Sequence, residues 1–119
     1  MAITVRHNHF QSDEKPESEI AAAGLHCSHQ IYEASEGTPA HWHPIDIHGY
    51  ITQGAFRFRD VATGEEHDCG PGSYFHIPPR TLHIEDAHDG YDVILGLSVP
   101  FEEIPDPASR PPEDLEAGA

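Results

Sequence analysis

Short runs of aromatic and β-branched residues recur through the middle of the chain, separated by turn-forming residues. The runs read TPAHWH, DIHGYIT, AFRFRD, EEHDC, SYFHI, TLHIED and YDVILGLSV. In the third run apolar and polar residues alternate, so a strand there would place Phe56 and Phe58 on one face and the two neighbouring arginines on the other. Glycine and proline turn signals divide the runs at intervals of about ten residues. This pattern predicts an all-β fold, either an antiparallel sandwich or a barrel.

The two ends of the chain differ from this middle part. Residues 1–19 are polar and charged, and predict a short strand from Ile3 to Val5 followed by a loop. Residues 21–34 alternate like a strand, although the alanines at 21–23 also suit a helix. Residues 100–119 are rich in proline and acidic residues and predict an extended arm, in which Phe101 and Ile104 pack back onto the barrel or onto a partner subunit. We therefore predict an N-terminal segment over 1–19, a β-barrel domain over 20–99 and a C-terminal arm over 100–119.

Composition narrows the classes of partner. A chain of 119 residues is the size of one domain, and 21 acidic residues against 6 Lys and Arg give a formal net charge of -15. This charge argues against a nucleic-acid partner and against docking on an anionic membrane. No apolar run approaches the ~20 residues that span a bilayer, and the first residues carry no signal-peptide pattern. Cys27 and Cys69 are far apart and form no CxxC motif, so we expect free thiols and a cytoplasmic protein.

Histidine is unusually frequent, with 11 in the chain. His41 and His43 lie two residues apart in a predicted strand, which puts both imidazoles on one face. Two neighbouring nitrogen donors on a strand provide half of a metal site. His7 and His9 have the same spacing but lie in the polar terminus, where nothing else supports a site.

Two stretches around these histidines resemble the sequence motifs of the cupin superfamily. The first reads GTPAHWHPIDIHGYITQG, from Gly37 to Gly54, and the second reads GSYFHIPPRTLH, from Gly72 to His83. The resemblance implies a small jelly-roll β-barrel (a double-stranded β-helix) with a metal inside one end. It also implies that His41, His43 and His83 are metal ligands.

The sequence departs from the family pattern at the expected glutamate ligand. Counting back from Gly54 points to Ile47, counting forward from the HxH pair points to His48, and Asp46 is one residue too early. Three interpretations stay open: a three-histidine centre with open positions, a fourth ligand from His48, or a β-bulge that redirects Asp46. We predict three histidine ligands, with His48 as the candidate fourth.

Three further residues are candidates for catalytic roles. Arg80 replaces a family glycine, and either holds an anionic group of the substrate or is a solvated turn residue. Glu85 shares a strand face with His83 and is a candidate general base or a partner that fixes an imidazole tautomer. Tyr50 either lines the pocket or packs between sheets.

Imidazole donors suit several divalent transition metals, so we expect one ion per chain, iron first, with Zn, Ni, Mn and Cu as alternatives. By analogy with cupins, the first functional hypothesis is a non-haem dioxygenase acting on a small enolate, catechol-like or thiol substrate. The second is a metal-assisted isomerase, lyase or cyclase, and the third is a non-catalytic small-molecule-binding protein. Small cupins usually pair through their sheets, and a lean core with exposed edges suits a homodimer.

Overall fold

The computed structural model describes residues 3–34, 37–86, 89–105 and 107–117. Most of its regular structure is strand, which confirms the predicted all-β fold. In chain order the elements are β1 (Thr4–Arg6), α1 (Glu14–Ala22), β2 (His26–Tyr32), β3 (Ile47–Gly54), β4 (Phe56–Asp60), β5 (Glu66–Cys69), β6 (Tyr74–Ile77), β7 (His83–Asp86), β8 (Tyr91–Leu97), a 3-10 turn (Phe101–Glu103) and α2 (Pro112–Ala117). None of the described helices has the length and apolar character needed to cross a membrane.

The strands form two antiparallel sheets. The larger sheet has the order β1-β6-β3-β8-β2, and the smaller has the order β5-β4-β7. Alternation along β4 is as predicted, because Phe56 and Phe58 are buried while Arg57 and Arg59 are exposed. The buried phenylalanines pack with Ile51, Phe75 and other apolar residues into a core between the two sheets.

A close approach inside the core requires a glycine on β3. A Cβ atom built on Gly49 would overlap the ring of Phe75 on the neighbouring strand β6. Real atoms do not approach so closely, so any side chain at this position would displace the ring. Glycine is therefore required at position 49, where β3 pairs with β6.

The N-terminal residues cover the outer face of the larger sheet. β1 pairs with β6 at the sheet edge, and α1 lies where the sequence indicated a loop. Ile20 of α1 is 1% exposed and packs with Phe10, Tyr50 and Ile94 in a second apolar cluster. This face of the sheet is consequently buried as well, although it is not the barrel interior.

The C-terminal arm crosses the end of the barrel. Phe101 and Ile104 pack against the core between the sheets. Further along, Arg110 forms an isolated antiparallel bridge with Trp42, in which each backbone N–H donates to the other residue's carbonyl at 2.9–3.1 Å. The indole Nε1 of Trp42 donates to the carbonyl of Pro111 at 2.9 Å. The arm is thereby attached beside the HxH segment.

Candidate metal centre

Two short extended segments position the predicted ligands opposite each other. His41 and His83 form an isolated antiparallel bridge, with each backbone N–H donating to the other carbonyl at 2.9 Å. His43 lies two residues after His41, and Glu85 lies two residues after His83 on β7. The two-residue period of extended chain therefore directs all four side chains toward one point in the barrel.

The four side chains converge on one carboxylate oxygen. Glu85 Oε2 lies 2.7 Å from His41 Nε2, 2.7 Å from His83 Nε2 and 3.2 Å from His43 Nε2. The side chain of His83 is completely buried, and that of Glu85 is 23% exposed. The ligand atoms all lie within 4.8 Å of one another.

Each imidazole is held through its other nitrogen by a main-chain carbonyl. The Nδ1 atoms of His41, His43 and His83 lie 2.8, 2.7 and 2.8 Å from the carbonyl oxygens of Pro39, Ala108 and Thr81, respectively. A carbonyl can only accept, so each Nδ1 carries the hydrogen and Nε2 is the atom presented to the centre. Such anchoring of ligand imidazoles is what metal sites require of their surroundings.

The electrostatics of the centre are those of a carboxylate among imidazoles. Burial raises the pKa of Glu85, but its hydrogen bonds to the three imidazoles outweigh burial and hold that pKa well below its usual value. Burial lowers the pKa of His41, but its hydrogen bonds to Glu85 and to the Pro39 carbonyl outweigh burial and raise that pKa. Glu85 is therefore an anion that draws positive charge to this point.

The donor set fits a divalent transition metal. Three imidazole nitrogens and one carboxylate oxygen suit Fe, Mn, Ni, Cu or Zn. Ligands bonded to one ion at 2.0–2.2 Å lie roughly 3 Å apart when they are at right angles. The distances of 2.7–3.2 Å between Glu85 and the histidines agree with that separation.

A cavity of about 470 Å³ opens beside the centre. His43 and Glu85 lie in its wall, so two of the four cluster residues are accessible from it. Apolar side chains from both sheets and from the arm form much of the remaining wall, among them Phe56, Ile77, Leu95 and Phe101. A small molecule of largely apolar character fits such a space.

The structure does not bring His48 or Asp46 to this centre. Along β3 Ile47 and Ile51 face the core, so His48 lies on the opposite, outer face of the sheet. There it contacts Asp46 and Tyr74. The register shift of β3 falls later, between Ile51 and Gln53, so no bulge redirects Asp46 inward. The carboxylate at the centre comes instead from Glu85.

Tyr50 and Arg80 also lie away from the centre. Tyr50 is buried in the second apolar cluster, on the outer face of the larger sheet, and its hydroxyl donates to Glu19 at 2.9 Å. Arg80 adopts a left-handed backbone with a φ of 63°, the conformation that the family glycine would adopt freely. Its guanidinium donates to the Leu115 carbonyl at 3.2 Å and lies 5.4 Å from the ring centre of Trp42. Arg80 is thus a turn residue in contact with the arm.

The sequence indicated only part of the role of Glu85 and gave no indication of the role of Ala108. The HxE spacing of His83 and Glu85 repeats the spacing of the first pair, and this signal indicated a shared face without showing direct contact with all three histidines. The role of Ala108 left no sequence signal, because it acts through its backbone carbonyl.

A family profile described as Cupin domain matches residues 28–95, which is more than half of the chain. The search of curated protein sequences found no match to this chain. Among solved structures, a DUF861 family protein from Thermotoga maritima is similar with a TM-score of 0.57 and 10% identity, over 81% of this chain and 99% of that one. This likeness supports the jelly-roll barrel.

Two other solved structures share the fold over a shorter span. KdgF from Halomonas sp. has a TM-score of 0.50 and 25% identity, over 64% of this chain and 71% of that one. Salicylate 1,2-dioxygenase from Pseudoaminobacter salicylatoxidans has a TM-score of 0.51 and 18% identity, over 65% of this chain and 21% of that one. The chain therefore spans about a fifth of the dioxygenase.

Proposed function

Since the chain belongs to the cupin family, we propose that it is a metal-dependent enzyme with one catalytic ion held by His41, His43, His83 and Glu85. The observation that carries this proposal is the convergence of three Nε2 atoms on one Glu85 oxygen. Glu85 then supplies the carboxylate that the first cupin motif lacks in this sequence. No other acidic side chain is within reach of the three imidazoles in the described part of the chain.

The cavity supports a substrate with an apolar body and one metal-binding end. Its walls are mainly apolar, while His43 and Glu85 are polar groups at the side that adjoins the centre. An enolate, a catechol-like diol or a thiol has this character. The apolar walls would hold the body of the substrate and exclude water from the reacting end.

Dioxygenase chemistry is the first candidate reaction. A bound iron ion would supply Lewis acidity and one-electron chemistry with O₂. His43 and Glu85 would orient the chelating end of the substrate, because they are the two cluster residues in the cavity wall. His41 and His83 contribute from outside that wall.

The position of Glu85 also favours a second candidate, a non-oxidative isomerase, lyase or cyclase. Glu85 lies in the cavity wall, and its depressed pKa keeps it ionised. In this candidate the three histidines alone hold the ion, and the Glu85 carboxylate accepts a proton from a substrate carbon. Turnover without oxygen distinguishes this reaction from the first.

We test metal binding first, by elemental analysis of untagged, gel-filtered protein. We expect His83→Ala to lose about one equivalent of metal relative to the parent, whereas His26→Ala, which removes an exposed histidine of β2, loses none. Equal metal content in all three proteins, after reconstitution with each candidate ion, would contradict the proposed centre.

The reaction is tested next with Fe(II)-reconstituted protein and a panel of catechols, β-diketones and thiols. We expect oxygen uptake matched to substrate loss, absent in His83→Ala and retained in His26→Ala. Turnover of a panel compound under nitrogen would contradict the dioxygenase and support the non-oxidative isomerase, lyase or cyclase. A thermal shift with a bound compound but no turnover in either atmosphere would indicate a small-molecule-binding protein.

We further propose a cytoplasmic homodimer. Cys27 and Cys69 are free thiols, in agreement with a reducing compartment. Strand β2 lies at the edge of the larger sheet with residues of both faces exposed, and such edges commonly pair with another chain.

A further inference from the structure

A second group of metal-binding side chains lies on the outer face of the larger sheet. His48 on β3 and His76 on β6 are directly opposite each other in the antiparallel register. Asp46, just before β3, reaches both imidazoles: its Oδ2 lies 3.1 Å from His48 Nε2 and its Oδ1 lies 2.6 Å from His76 Nε2. We call these three residues the outer cluster site.

The two imidazoles present the same nitrogen, Nε2, to one carboxylate. Their rings are stacked, with centroids 4.1 Å apart and an angle of 6° between planes. Both Nε2 atoms lie beside the carboxylate of Asp46, each next to a different oxygen. The ligand atoms of Asp46, His48 and His76 all lie within 4.8 Å of one another.

A neighbouring tyrosine fixes the orientation of one ring. The Tyr74 hydroxyl lies 2.7 Å from His48 Nδ1. When Nδ1 donates its hydrogen to this oxygen, the lone pair of Nε2 is free to bind a cation. The side chains of the three ligands are 19–28% exposed, so an ion could enter from solvent while most of each side chain stays packed.

We propose that the outer cluster site binds a divalent transition metal, with Asp46, His48 and His76 as ligands and water completing the shell. Two imidazoles and one carboxylate suit zinc, and such sites accept nickel and copper as well. The site is separate from the proposed catalytic centre, because the strand that carries His48 lies between it and the barrel interior.

The location of the site gives the ion a structural role. Asp46 lies in the short connection between His43, a cluster residue of the barrel centre, and β3. Its backbone N–H donates to the Ser98 hydroxyl at 3.1 Å, and the Ser98 N–H donates to its carbonyl at 3.3 Å. An ion shared with His48 and His76 would tie this connection to two strands.

The test is a calorimetric titration of metal-stripped, full-length protein with Zn²⁺. A background variant, His43→Ala/His83→Ala, removes two ligands of the barrel centre, and circular dichroism checks that it is folded. We expect two equivalents of zinc in the parent, one in the background variant, and none when His76→Ala is added to that background. Adding His26→Ala instead should leave one equivalent.

Two further variants test how the other residues contribute to zinc binding at the outer cluster site. Asp46→Asn keeps the size of the side chain and covers the case in which His76→Ala does not fold. Tyr74→Phe removes only the contact with His48 Nδ1, and should weaken the remaining zinc equivalent about 10-fold. No zinc in the background variant, or one equivalent that survives both His76→Ala and Asp46→Asn, would overturn the outer cluster site. Because the background variant already lacks two ligands of the barrel centre, neither result tests the proposed catalytic centre.

Discussion

One carboxylate oxygen of Glu85 contacts all three imidazoles, so removing the negative charge of Glu85 should change the metal affinity of the barrel centre. Glu85→Gln retains the size of the side chain but removes the anion. We expect it to lower the metal affinity of the barrel centre at least about 10-fold, since even groups that only orient ligands have effects of that size. Competition titration against a chelator measures the affinity.

The control for this prediction is Glu66→Gln, which changes an exposed carboxylate on β5. Its metal affinity should equal that of the parent. An unchanged affinity in Glu85→Gln would remove Glu85 from the ligand set and leave a three-histidine centre.

Glu19 provides a pH-dependent contribution to stability on the outer face. Partial burial raises the pKa of its carboxyl, but hydrogen bonds from His9 and Tyr50 outweigh burial and hold that pKa below its usual value. A carboxyl with a lowered pKa in the folded protein stabilises it above the unfolded pKa, and the contribution is lost as pH falls through the folded value. Its side chain is 36% exposed, so the effect is below about 1 kcal/mol.

The variant Glu19→Gln should therefore be less stable than the parent at about pH 7. The difference should shrink as pH falls below the unfolded pKa of about 4.3 and disappear below the lower pKa of the folded protein. Urea denaturation of both proteins across this pH range measures the difference, with Glu66→Gln, which changes an exposed carboxylate on β5, as a control. A difference that persists at low pH would mean that the carboxylate charge is not its cause.

The placement of His48 shows why one site residue could not be assigned from sequence. The face of a sheet toward which a residue points is usually predicted from the alternation of apolar and polar positions along the strand. On β3 both Tyr50 and Ile51 are buried, because α1 and the N-terminal segment cover the outer face. The alternation that would fix the register is therefore missing. Counting back from Gly54 pointed to Ile47, whereas counting forward from the HxH pair pointed to His48.

Among the elements, the C-terminal arm and its packing onto the core were predicted from the sequence, but its contact with the site was not. Proline and acidic residues indicated an extended segment, and Phe101 and Ile104 pack onto the core as predicted. The arm is not extended throughout, however, because Phe101–Glu103 forms a 3-10 turn and Pro112–Ala117 forms α2. The contact with the site runs through the Ala108 carbonyl, and main-chain groups have no sequence signature. Helix α1 was not predicted because it is weakly amphipathic. Its buried residues are only Pro16 and Ile20, too few to give a clear helical pattern in the sequence.

Attachment of the arm can be tested at Arg110. Its backbone bridges Trp42, and its guanidinium lies 5.4 Å from the indole ring centre. Arg110→Pro removes both the N–H donor and the cation, and should release this part of the arm. Trp42 is the single tryptophan and is 3% exposed, so its quenching by acrylamide reports the release.

We expect quenching of Trp42 to increase in Arg110→Pro and to change little in Arg110→Lys, which retains the N–H and the charge. The affinity of the barrel centre should also fall in Arg110→Pro, because His43 loses the neighbouring Ala108 carbonyl. Equal quenching in parent and Arg110→Pro would show that the bridge does not hold the arm.

At the scale of the whole molecule, the barrel was predictable because turn signals recur at regular spacing and apolar runs lie between them. The alternation at Phe56 and Phe58 identified the inner face of β4 directly. Two parts of the architecture had no such signal: the pairing of β1 with β6, and the covering of the sheet by residues from outside the barrel. Both depend on contacts between distant segments, which local patterns do not encode.

The proposed homodimer is a further property of the whole molecule. Ile31 on β2 is 76% exposed and Tyr32 is 37% exposed, and in the described residues β2 pairs with β8 alone. Pairing through this edge would bury both side chains and satisfy free backbone groups. We expect a dimer mass by light scattering at micromolar concentration, and a monomer mass for Ile31→Lys, whose charge would be buried in the interface.

Val61→Lys is the matched control, since Val61 is an apolar residue 42% exposed in the turn after β4. It introduces the same charge away from the β2 edge and should remain a dimer. A monomeric parent would refute the dimer, and a dimeric Ile31→Lys would place the interface on another surface. Metal content should be the same in all three proteins, because the ligands of both proposed sites come from within one chain.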